Sequence, residues 1–165
     1  MIYLDLDDVC ADLTGYINRV LGTNYAVGEG FKTAHWSELV RYHPRMFRDL
    51  EVNEPFMSAY RTITQTIDSR NIAFLTAVPL GYGQDFQYTI IDKIDWVREH
   101  FGTAHPVFFG PFPHEKHNHC RPNDLLIDDN LSNCQQWRAR GGQSIVYRND
   151  TFFDFWTEFN QLETP

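Results

Sequence analysis

Residues 1–12 read Met-Ile-Tyr-Leu-Asp-Leu-Asp-Asp-Val-Cys-Ala-Asp, and this stretch decides the fold. Ile2 to Leu6 form a short apolar run with no helical spacing. Such a run reads as a strand buried on both faces, here ending in acids. Working outward, residues 12–22 place Leu13, Tyr16, Ile17, Val20 and Leu21 at helical spacing. Further apolar runs at 72–76, 106–109, 124–127 and 144–147 predict four more strands. Helices are predicted over 54–69, 86–101, 130–140 and 151–162. Pro55 is allowed in a first helical turn, and Gly141-Gly142 suit a helix stop. In the helix over 86–101, Ile90, Ile91, Ile94 and Trp96 are expected inward. Asp92, Asp95 and Glu99 are expected on its solvated face. Residues 23–53 show no clear period.

Alternating strands and helices imply an α/β fold: a Rossmann-like, three-layer parallel sheet. The 165 residues suit one domain, 1–165. Fourteen Lys and Arg against 22 Asp and Glu give a net charge of −8, which disfavours a polymeric nucleic acid partner. Cys10, Cys120 and Cys134 are odd in number and irregularly spaced, so a reducing, cytoplasmic setting is expected. No run approaches the ~20 apolar residues of a membrane helix, and residues 1–12 do not resemble a secretory signal.

Ligands in such sheets bind beyond the carboxyl ends of the strands. Asp5, Asp7 and Asp8 close the first strand, and Asp128 and Asp129 the fourth. One such pair alone is readily a helix cap or a solvated strand end. Two groups at equivalent strand ends would repel strongly without a cation. Oxygen-only ligands select a hard one, and Mg²⁺ is the expected cofactor.

These motifs resemble the haloacid-dehalogenase-like superfamily. Asp5-Leu-Asp-Asp-Val-Cys-Ala-Asp12 is similar to its first motif, Phe74-Leu-Thr-Ala-Val-Pro79 to its second, and Asp124-Leu-Leu-Ile-Asp-Asp129 to its fourth. Lys116 can serve as the lysine of the third. The Leu-Thr-Ala-x-Pro pattern and Asp92-Lys-Ile-Asp-Trp-Val-Arg-Glu-His-Phe-Gly102 look like the 5′(3′)-deoxyribonucleotidase branch, from residue 1 to about 150. The resemblance implies Asp5 as nucleophile and Asp7 as general acid and base. It implies Mg²⁺ on Asp5, the Asp7 backbone carbonyl and Asp129, with Asp128 in direct or indirect support. Thr76, the Ala77 N–H and Lys116 would hold phosphate, with Arg121 as the substitute cation. Asp8 departs from the usual glycine, and Ala77 stands where some relatives have a second hydroxyl.

Residues 14–60 are too long for a plain crossover. In relatives this insertion is a small helical cap after the first strand. Here it carries His35, Trp36, Tyr42, Phe47 and Phe56. Each of these aromatics can equally be the cap's own core. Trp36 and Phe47, with Leu13, are the expected substrate contacts. Leu13 stands where relatives often have phenylalanine, and the resemblance implies a wider pocket there.

His114, His117, His119 and Cys120 match no common zinc spacing and read as a solvated loop. Cys10 reads as a small buried apolar residue. The glycines form neither a dinucleotide fingerprint nor a P-loop. The expected activity is a Mg²⁺-dependent phosphomonoesterase acting on small (deoxy)nucleoside monophosphates through an aspartyl-phosphate. The alternatives are a phosphatase for another small metabolite such as a phosphosugar, and a non-catalytic metal- or phosphate-sensing module.

Overall fold

The computed structural model describes residues 1–78, 88–110 and 112–162. Its centre is a five-stranded sheet, every neighbouring pair parallel. The strands are β1 (Ile2–Leu4), β2 (Ile72–Ala77), β3 (Val107–Gly110), β4 (Leu125–Asp128) and β5 (Gln143–Val146). Their spatial order is β3-β2-β1-β4-β5. Successive residues point to opposite faces. Ile2, Leu4, Ile72, Phe74, Leu125 and Ile127 enter the larger core, and Tyr3, Ala73, Leu75 and Leu126 the smaller one. The inner strands are thus buried on both faces, which is why they read as unbroken apolar runs.

Helices α1 (Leu13–Leu21), α3 (Glu54–Thr66), α4 (Thr89–Phe101) and α6 (Phe152–Gln161) all bury side chains in the larger core. Phe56, Ala59 and Ile63 supply the inward stripe of α3. The smaller face is closed by Trp137 of α5 (Leu131–Ala139), whose indole N–H donates to the Asp124 carbonyl at 3.1 Å. Asn130 caps α5 by accepting from the Ser132 and Asn133 N–H groups.

The unpatterned stretch 23–53 contains α2 (Thr33–Tyr42) and a 3₁₀ turn, Met46–Arg48. Within α2 only Leu39 is fully buried. For α4 the expected facing is wrong at three positions. Ile90 and Ile91 are half-exposed, whereas Asp92 is completely buried. The inward stripe is Asp92, Lys93, Trp96, Val97 and Phe101. Asp92 tolerates burial because the Arg45 guanidinium donates to both its oxygens, at 2.8 Å from Nε and 2.5 Å from Nη2. The expected helix start at 86, Pro79, Gly81 and Gly83 lie outside the described residues.

The topology places the site. From β1 the chain steps outward through β2 and β3, then returns to lay β4 on the other side of β1. The order reverses between β1 and β4, and a crevice opens beyond their carboxyl ends. Leu4 is in register with Ile127, and the Asp5 N–H donates to the Ile127 carbonyl at 2.9 Å. Asp5 and Asp128 therefore arrive side by side.

Candidate active site

Three carboxylates and one ammonium form the floor. Asp5 Oδ1 accepts from the Leu6 N–H at 2.7 Å, and its Oδ2 lies 2.7 Å from Lys116 Nζ. The same Nζ lies 2.8 Å from Asp128 Oδ2. Asp128 is fully buried and saturated: it also accepts from the Asn130 N–H at 2.9 Å and from Asn133 Nδ2 on both oxygens. Among the described residues none donates a hydrogen bond to the Asp129 carboxylate, which faces the cleft. Asp5, Asp128 and Asp129 each offer an oxygen within 4.8 Å of the others.

Lys116 reaches this floor from the 3₁₀ turn Pro113–His119. Gly110 allows it: a Cβ there would sit 3.1 Å from the Lys116 backbone nitrogen and 3.2 Å from its Cγ. Burial opposes the ammonium charge, yet Asp128 and Asp5 outweigh it and hold the Lys116 pKa well above its ordinary value. Burial raises the Asp5 pKa against the pull of Lys116, with the Asp128 and Asp7 charges adding to the rise. Asp129 is raised by burial and then by Asp5, Asp128 and Asp8. One ammonium thus faces more negative charge than it can balance. A divalent cation fits the imbalance, and an all-oxygen donor set fits a hard one.

Asp8 has a left-handed backbone, φ 60°. Glycine is the default in that conformation, and aspartate is among the few side chains that tolerate it. Its carboxylate accepts from the Thr14 N–H at 2.7 Å and the Thr14 hydroxyl at 2.6 Å, tying the loop to α1. Burial pushes Asp8 up to about 6, against those two bonds.

Asp7 points away from the three carboxylates. Its Oδ2 accepts from Lys93 Nζ at 2.7 Å. Lys93 also donates to Thr76 Oγ1 at 2.8 Å and to the Ala77 carbonyl at 3.0 Å. Sequence reasoning missed Lys93, since a lysine beside acids reads as solvated. Its one signal was position: Trp96 and Val97 follow at i+3 and i+4, on the same inward stripe.

A cleft of about 290 Å³ opens above this floor. It brings together Asp5, Asp7, Asp129, Lys116, Ala77, Leu13 and Trp36 among the expected residues. Phe31, edge-on to Trp36 at 5.6 Å, and the segment Gly28–Gly30 join them without a sequence signal. Thr76 and Asp128 are fully buried and do not line the cleft, Asp128 entering the floor from beneath through Lys116. Phe47 does not reach the cleft. The turn Met46–Arg48 drives it into the core, with its ring 4.5 Å from Lys93 Nζ. Arg121 stays outside, its backbone N–H donating to Asp124. His117 lies 3.3 Å from the Gln136 side chain and His119 3.2 Å from the Phe109 carbonyl, on the turn that delivers Lys116.

Paired acids at adjacent parallel strand ends, bridged by a buried lysine with a further acid two residues along, define a phosphohydrolase of the haloacid-dehalogenase-like class. Over residues 1–160 the chain matches the family described as 5′ nucleotidase, deoxy (Pyrimidine), cytosolic type C protein, and it belongs to that family. It is accordingly a nucleotidase, a hydrolase of phosphoric monoesters. No individual curated protein matches the chain. Among the described residues no helix is long and apolar enough to cross a membrane.

Proposed function

We propose that the protein hydrolyses deoxynucleoside monophosphates in the cytoplasm through a phosphorylated Asp5. The observation that carries this reading is the division of labour among the acids. Asp5 is pinned by Lys116 at the cleft floor, while Asp7, two residues on, is held apart from the other carboxylates. A carboxylate oxygen of Asp5 attacks phosphorus and displaces the nucleoside alkoxide, which takes a proton from Asp7. Asp7 then removes a proton from water. The resulting hydroxide attacks the phosphoryl group, releases phosphate and restores Asp5. Lys116 keeps Asp5 oriented and offsets charge on the transferring group.

Asp5, the Asp7 backbone carbonyl and Asp129 would hold Mg²⁺. Asp128, saturated by Lys116 and Asn133, supports them from behind. When bound, the ion neutralises phosphate charge that the acidic floor would otherwise repel. Leu13, Phe31 and Trp36 give the upper cleft an apolar, aromatic side suited to a nucleobase, which favours a nucleotide over a phosphosugar. Ala77 offers a backbone N–H at the phosphate end.

The test is phosphate release from deoxy- and ribonucleoside monophosphates, a phosphosugar and p-nitrophenyl phosphate, with and without Mg²⁺. Mg²⁺-dependent release, fastest with deoxynucleotides and abolished by Asp5→Asn in folded protein, supports the reading. Near-normal turnover by Asp5→Asn would overturn the mechanism. Stable phosphorylation of Asp5 without turnover would favour a sensing module.

A further inference from the structure

We propose that Lys93 is a positioning residue that reserves the Asp7 side chain for proton transfer. The inference rests on the reading of Asp7 as the acid–base group. Asp7 is a fourth carboxylate at an edge where Asp5, Asp128 and Asp129 already cluster, and it stands outside that cluster. An unrestrained aspartate there would compete for whatever cation the others hold, and would be lost to proton transfer.

Lys93 is what restrains it. The ammonium has three N–H groups, and three acceptors surround it: Asp7 Oδ2 at 2.7 Å, Thr76 Oγ1 at 2.8 Å and the Ala77 carbonyl at 3.0 Å. No donor is left over for a phosphate oxygen, which separates Lys93 from a phosphate ligand. Asp7 Oδ1 is buried without a hydrogen-bond partner. The contact with Lys93 is therefore the only hydrogen bond to the Asp7 carboxylate among the described residues.

The lysine is itself immobilised. Its side chain is 2% exposed. The Phe47 ring lies over Nζ at 4.5 Å, a cation–π contact in a water-poor setting. The preceding residue, Asp92, is clamped by Arg45 from the same turn that carries Phe47. One turn of the insertion between β1 and β2 thus grips the first part of α4 at two consecutive residues. The role of Phe47 is to close off the lysine that holds Asp7.

The test uses the leaving group. An alkoxide needs a proton as it departs, whereas p-nitrophenolate leaves as the anion. Positioned acid–base groups typically contribute about 10²–10⁴-fold. In the first turnover, read as the burst of released nucleoside or p-nitrophenolate, Lys93→Met should slow transfer from a deoxynucleoside monophosphate by ~100-fold and from p-nitrophenyl phosphate by less than ~10-fold, and raise neither KM by more than ~3-fold; the later hydrolysis of phosphorylated Asp5 is common to both substrates and slows equally. Asp7→Asn should show the same split, and the double variant should be no worse than Asp7→Asn alone. Lys93→Arg is the second variant, should Lys93→Met fail to fold. It keeps the charge and any phosphate affinity but cannot gather three donors at one point, so it should show the split as well.

Equal losses on both substrates in that first turnover would make Lys93 merely structural. A raised KM on both would make it a phosphate ligand. Full nucleotide turnover by Lys93→Arg would also overturn the proposal. If Asp7→Asn itself shows no split, the acid–base reading of Asp7 fails first, and the two failures are distinguished.

Discussion

Replacing Lys116 by methionine keeps most of the unbranched side chain and removes the ammonium between Asp5 and Asp128. Both carboxylates are nearly inaccessible, with side chains 7% and 0% exposed, and both lie within 2.8 Å of Nζ. Breaking a buried pair by removing one partner costs about 3–5 kcal/mol, because a charge is left uncompensated in a poorly polarisable site. For a chain of this size each kcal/mol moves the melting temperature by roughly 2–4 °C. The expected loss is therefore ~6–20 °C in metal-free buffer at pH 8. Two conditions should shrink it. At pH 5 the freed Asp5 carboxyl, which burial already pushes upward, protonates instead of remaining charged, so the deficit falls. Millimolar Mg²⁺ supplies positive charge to the same acids and should restore part of the loss. Thermal scans of parent and variant, at pH 5 and pH 8, with EDTA or Mg²⁺, give all four comparisons. A variant melting within ~2 °C of the parent at pH 8 in EDTA would refute the claim that Lys116 balances the floor.

Trp36→Ala should raise KM for deoxynucleotides roughly 5- to 150-fold, the equivalent of about 1–3 kcal/mol of base stacking, and affect p-nitrophenyl phosphate far less. Equal effects in steady-state kinetics would remove the stacking role. Asp8 holds its proton more tightly folded, at about 6, than at its ordinary 3.8. The associated stability is full below pH 3.8 and is lost as pH rises through about 6, so metal-free protein should melt progressively lower across that window. Melting temperatures in EDTA buffers check this, and Asp8→Asn should flatten the slope. Gly142→Ala should destabilise by about 1–3 kcal/mol in urea titrations. Its Cβ would run into the Trp137 indole nitrogen and lie 2.6 Å from Cys120 Sγ, whereas one at Gly30 would meet nothing within 4 Å.

Much of this molecule was legible along the chain. The runs at 2–6, 72–76 and 124–127 declared themselves as strands because burial on both faces keeps 2–4, 72–75 and 125–127 apolar, with the polar residues Asp5, Thr76 and Asp124 only toward their ends. The acids that follow two of them were readable because strand ends in parallel sheets face one common edge. Asp8 was legible as a departure from glycine, and the left-handed turn it occupies shows why glycine is the default there. Harder to read were residues whose partners lie far away in sequence. Asp92 looks solvated until Arg45, 47 residues earlier, is brought against it. Phe47 looks like a cap aromatic until the turn Met46–Arg48 folds it over Lys93.

By itself, then, the sequence determined the α/β class, the strand positions and the acid pairs, because each is encoded by local polarity pattern and spacing. Only the tertiary structure decided that β1 and β4 are neighbours, so that Asp5 and Asp128 share one lysine. It alone turned Asp7 away from them onto Lys93. Those choices rest on burial and on pairing between charges 12 and 86 positions apart. The energy of such a pair depends on the surrounding medium and the distance, and both exist only once the chain is folded.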